Sequence, residues 1–170
     1  MKTSAGILML ALVLSGCQDG QKDTKSMSFE KNAATVLANL EGWQNKNLDY
    51  SMYADDFILL DTGFGVQKDS LSLDEMKSYD QQLWAHYDFK LMSYPPNLLP
   101  GVNPETKEPD GSVRHYSSWE VTRHATDSTE ARSGVILLYE SFDFDAEGKI
   151  VFQQAYGDFT GLMMYLNSTE

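Results

Sequence analysis

The sequence is poor in the features that usually carry chemistry. Its 170 residues include a single cysteine, Cys17, and three histidines, His86, His115 and His124. One thiol cannot close an intramolecular disulfide, so the fold must hold by packing alone. No two histidines have the spacing of a helical zinc site, so no metal and no cofactor is expected. No phosphate-binding loop and no Gly-x-Ser-x-Gly elbow occurs. Cations are also scarce: 13 Lys and Arg stand against 25 Asp and Glu, a formal charge of −12. A surface of that sign repels a phosphate backbone, which excludes nucleic acid as a natural partner. Apolar residues are not lacking. At 42% of the chain, with 12% aromatic, they suffice for the core of one domain.

No apolar run reaches the roughly 20 residues needed to span a bilayer. The longest, about Ile7 to Leu14 in "MKTSAGILMLALVLSGC", has the length of a secretion-signal h-region. Its end, "LSGC", resembles the lipobox of bacterial lipoproteins. That resemblance implies a signal peptide over residues 1–16, cleavage before Cys17 and acylation of that residue. The partner is then a lipid bilayer, and the location is the bacterial envelope, periplasmic face or cell surface. Several acyl chains on one residue anchor stably where a single chain is marginal. The polar stretch 17–27 is expected to form a tether, leaving 28–170 as the domain.

A first helix is expected from Ser28, because Phe29, Ala33, Val36, Leu37, Leu40 and Trp43 recur at helical spacing. A short second helix is expected over about Leu48–Tyr53, and "FILL" then reads as a strand. "SLDE" is a capping box, with Ser72 as cap and Glu75 three residues on, and opens a third helix. All five prolines lie between Pro95 and Pro109. The segment 95–111 is therefore expected to be a long loop. Strands follow over about Val113–Arg123, Glu130–Phe144 and Ile150–Phe159, with a tight turn at Gly148. Helices before an antiparallel meander give an α+β class. In "GVILLYESFDF", Ile136, Leu138, Phe142 and Phe144 share one face, and Val135, Leu137 and Tyr139 share the other. A strand apolar on both faces needs cover on both, which implies a homodimer through the sheet or a sheet that curls over itself.

The order "YADDF", strand, capped helix, long meander with "FDFDAEGKIV" and then "YGDFTGL" resembles the nuclear transport factor 2-like superfamily over about Phe29–Leu166. The resemblance implies a cone: a curved antiparallel sheet wrapped by about three helices, with a cavity between them. The superfamily spans ketosteroid isomerases, polyketide cyclases, dehydratases and non-catalytic binding proteins. Laid on the isomerase branch, "YADDFILLD" puts Asp61 at the position of the catalytic base, and "YESFDF" puts Glu140 at that of the second acid, a hydrogen-bond donor. The branch's oxyanion tyrosine falls on Leu37, a departure that removes half of the oxyanion hole. Two readings follow. In the first, the cone binds a small apolar ligand or serves as a dimeric interaction module, without catalysis. Tyr53, Trp119, Asp61 and Glu140 then line the pocket, and the proline-rich segment covers its mouth. In the second, the protein is an isomerase, cyclase or dehydratase with Asp61 as base and Glu140 as donor.

Overall fold

The computed structural model describes residues 19–168 apart from Gln67. The signal segment and Cys17 lie outside the described residues. Helix α1 (Asp19–Gln44) begins well before Ser28, so helix replaces irregular chain over most of the expected tether. Five of the six expected stripe residues face the core: Val36 and Leu40 are buried, and Phe29, Ala33 and Trp43 pack against it, while Leu37 is half-buried outside it. A left-handed Lys46 turns the chain out of the helix. The expected second helix is a single 3₁₀ turn (Tyr50–Met52), and strand β1 (Tyr53–Leu60) starts at once.

Strand β2 (Ser70–Ser72) runs into helix α2 (Leu73–His86), where Ser72 and Glu75 form the full capping box. Lys68 and the Ser72 groups hold the Glu75 carboxyl down at about 2, against an ordinary 4.5. Strand β3 (Tyr87–Leu91) and strand β4 (Asn97–Val102) then lie end to end along one edge of the long strand β5 (Pro109–Arg123). The proline-rich segment is thus not a long loop over a cavity mouth. Most of it is an edge strand, with Pro100 opposite Val113, and a turn in which Asn103 Oδ1 accepts from the backbone N–H groups of Glu105 and Thr106. Edge strands tolerate proline because alternate N–H groups face away from the partner.

Strands β6 (Arg132–Phe144) and β7 (Ile150–Tyr156) complete the meander, turning at a left-handed Gly148. Strand β7 stops at Tyr156, three residues before the expected end, and the chain then forms a helix, α3 (Phe159–Leu166), that was not expected. Asp158 caps it, its side chain accepting from the Gly161 N–H. Two long helices therefore precede the meander and the third follows it. The sheet order is β2-β1-β7-β6-β5-β3, with β4 also on β5. All pairs are antiparallel except β1 with β7. Helix α1 lies on the inner face of β5, α2 reaches β1, and α3 closes on β6. The result is an α+β cone with an open, curved, mixed sheet.

Candidate functional site

The β5–β6 register decides which side chains share the inside of the cone. His115 faces Glu140 directly, and Trp119 faces Ile136. Alternation along β5 turns His115, Ser117 and Trp119 inward together. Glu140, only 7% exposed, is an inward residue and not a solvated sheet residue. Its Oε2 lies 3.0 Å from His115 Nδ1 and accepts from Ser117 Oγ at 3.3 Å. His115 is wholly buried.

Tyr53, from the start of β1, adds a buried phenol to the same interior. Asn39 of α1 donates to its hydroxyl, and that hydroxyl donates to Gln153 of β7. Burial holds its ionisation far above the usual tyrosine range, and the charges of Asp80 and Glu140 push the same way. Asp80 was not anticipated. It sits on the buried side of α2 and accepts from Trp43 Nε1 at 3.2 Å and Tyr50 Oη at 2.9 Å. Burial raises its carboxyl above the ordinary value of 3.8 against those two donors. The signal was in the sequence: Asp80 falls in the apolar stripe between Met76 and Leu83, where an acid is costly unless partnered.

The other end of the cone is filled with rings. Trp43 meets Trp119 edge-on at 5.7 Å and lies 4.2 Å from Phe89. The ring of Trp119, expected to line a pocket, is therefore packed by a side chain of α1. Three buried ring nitrogens, Nε2 of His115 and Nε1 of Trp84 and of Trp119, have no hydrogen-bond partner.

Asp61 lies elsewhere. Its Oδ1 accepts from the Gly63 N–H at 2.9 Å, so it punctuates its own turn. Its charge acts on Tyr79 of α2, whose phenol burial and that charge push up. The charge of Glu140 acts instead on Tyr53. Two surface clefts also occur. One of about 510 Å³ lies between α3 and β6, and one of about 420 Å³ lies along α2. Neither is lined by Tyr53, Asp61, Trp119 or Glu140. Among the described residues no group of three or more His, Cys, Asp or Glu is arranged to hold a metal ion.

No protein-family model matches the sequence, and no curated protein matches it. Solved structures do match. A Xanthomonas campestris pv. campestris protein assigned as a polyketide cyclase superposes with a TM-score of 0.64 at 17% identity, covering 83% of this chain and 99% of that one. A nuclear transport factor 2-like protein from Burkholderia xenovorans LB400 gives 0.58 at 12% identity, over 83% and 99%. The chain has the nuclear transport factor 2-like fold. A Mycobacterium tuberculosis epoxide hydrolase of the LEH-like kind shares this fold, with a TM-score of 0.56 at 15% identity over 81% of this chain and 90% of its own. Identities this low carry architecture and not activity. On this nuclear transport factor 2-like frame, the chemistry must be read from the residues inside the cone.

The buried carboxyl of Asp80 gives a measurable consequence. Its proton is held more tightly in the folded state than in the unfolded chain. Stability therefore falls as pH rises from 3.8 through the folded-state value, then levels off. Asp80→Asn keeps an acceptor for Trp43 and carries no charge. Its thermal midpoint should exceed that of the wild type at neutral pH, with the gap closing below pH 3.8. A gap that stays constant with pH would mean that the carboxyl is already comfortable when ionised.

Proposed function

We propose that the protein is an acylated bacterial envelope lipoprotein whose nuclear transport factor 2-like domain binds a small, largely apolar molecule without transforming it. Cys17 supplies the membrane attachment, on the strength of the "LSGC" motif. The observation that carries the binding reading is the wholly buried His115 ring, whose Nε2 has no hydrogen-bond partner and whose Nδ1 contacts the buried Glu140 carboxyl. A buried polar atom left without a partner is costly, and a ligand with a few matching polar atoms offsets that cost. Tyr53, Trp119 and Glu140 are buried side chains that such a ligand would meet, whereas Asp61 is engaged by its own turn and takes no part.

The enzymatic alternative assigns proton abstraction to Asp61 and hydrogen-bond donation to Glu140. It draws less support, because Asp61 is engaged by its own turn and Glu140 Oε2 by His115 and Ser117. A second reading, association of two copies through the outer sheet face, is favoured by the exposure of Val135 (59%) and Leu137 (73%) on that face of β6. Binding and pairing use opposite faces and are compatible.

Native mass spectrometry of the protein purified from the membranes of its own host tests the first reading. The expected spectrum shows a triacylated N-terminus and a bound small molecule that is recovered unchanged. A protein that carries nothing, and takes up nothing from a cell extract, excludes the binding role. Recovery of a converted molecule would favour the enzyme instead.

A further inference from the structure

We infer that the open edge of β6 at residues 133–137 is a docking site, where an extended segment of another polypeptide adds as a strand and sets a basic side chain against Asp158. This holds whatever the interior of the cone contains. Strand β6 pairs with β5 without a break, from the Arg123–Arg132 pair to the Val113–Phe142 pair. Strand β7 reaches only to Tyr156, opposite Tyr139. Over residues 132–138 the second side of β6 therefore has no strand against it among the described residues. The chain comes close at Gly157, where a Cβ would stand 3.0 Å from the Leu137 carbonyl oxygen, and then leaves into α3. Beside the open edge lies the cleft of about 510 Å³, with residues 133–137 on one side and Asp158, Leu162 and Tyr165 on the other.

Sheet edges are usually blunted by charge, proline or shortness. Here β2 is three residues long, β3 carries Asp88 and Lys90, and β4 carries Pro100. The open stretch of β6, "SGVIL", has no charge, no proline and no bulge. Its N–H and C=O groups on that side match another backbone. Side chains of an added strand would lie beside exposed Val135 and Leu137 on the outer face. The far wall of the cleft is held in place. Arg123 Nε donates to the Leu166 carbonyl, and Arg132 donates to the Tyr165 carbonyl while its guanidinium lies 4.9 Å from that ring. Charge selects the occupant. Asp158 is exposed, caps α3 and makes no ion pair among the described residues. A second copy brings another charge of −12 and is repelled, whereas a segment bearing lysine or arginine is attracted.

The test uses the full chain in detergent and the peptide acetyl-KTVTVTK-amide, titrated by calorimetry. A lysine at each end lets either strand direction bring one to Asp158. Methylating the backbone nitrogens of alternate residues removes the donors on one side of a strand. Methylation of one set, the threonines or the valines, should weaken binding at least about a hundredfold, and methylation of the other should stay within about threefold. Replacing both lysines by glutamate should weaken binding at least about fivefold at low salt. That gap should narrow with added salt and in Asp158→Asn, which keeps the helix cap. Backbone amide resonances of residues 133–137 should shift on binding, and those of the β4 edge should not. Equal loss with both methylated sets, equal affinity for the lysine and glutamate peptides, or shifts at another edge overturns the inference. So does a dimer that the lysine peptide disperses, because a second copy then holds the edge. Absence of binding up to about 1 mM overturns it as well.

Discussion

Phe142→Ala is expected to cost about 3–5 kcal/mol of stability, the range for truncating a buried phenylalanine. Phe142 has no exposed surface. It sits in β6 between Val113 of β5 and Gln153 of β7, so the central three strands all border the void that would be left. Val113 is equally inaccessible. A strand flanked on both sides by paired backbone cannot move in to fill the gap. For a domain stable by about 5–15 kcal/mol, such a loss is about a fifth of the total or more. It should lower the thermal midpoint by on the order of 10 °C. Urea titrations followed by tryptophan fluorescence would measure it. Leu137→Ala, on the opposite face of the same strand, is the control. As an exposed position it should stay within about 0.5 kcal/mol when the protein is dilute. A Phe142→Ala loss below about 1 kcal/mol would mean that the strand relaxes, and that the inner face of β6 is not the packed centre of the cone.

That contrast between faces shows what was legible in the sequence and what was not. Local patterns carried well. The stripe of α1, the Ser72–Glu75 capping box, the left-handed Gly148 and the alternation of β6 all depend on neighbours a few residues away, and all stand in the structure. The prolines misled because their rule is about hydrogen-bond partners. Pro100 is forbidden inside a sheet but not at its edge, and only the fold reveals that β4 is an edge. Helix α3 is too short for a helical stripe to stand out, since only Leu162 and Leu166 of its eight residues are buried.

The site was harder for the same reason. Alternation along β5 sets His115 on the face of Ser117 and Trp119. What parity could not give was the register against β6, which puts His115 opposite Glu140 across a separation of 25 residues. Asp61 was the mirror case. Its position in a family pattern suggested chemistry, while the turn that follows it, "DTG", suggested a capping carboxylate. The side chain does the latter.

Leu137→Asp is expected to convert a dimer into monomers without unfolding them. The outer sheet face holds a band that crosses three strands. Tyr116, Tyr139 and Tyr156 stand directly opposite one another in register, with ring centroids 5.0 and 6.4 Å apart, and exposed Leu137 and Val135 extend the band along β6. In a pair related by a two-fold axis the same patch meets itself, so one substitution is counted twice. Two aspartates buried without partners would weaken association by at least about a thousandfold. Sedimentation should show wild type as a dimer at about 10 μM and the variant as a monomer, with unchanged far-ultraviolet circular dichroism, a working range set by typical interface affinities. The charge of −12 on each copy makes a further demand. Two such copies repel, and salt screens that repulsion. Dimerisation through an apolar band should therefore tighten as salt is raised, whereas a pairing built on ion pairs would loosen. A wild-type monomer at that concentration in high salt would leave the exposed leucine and tyrosines of this face to some other partner.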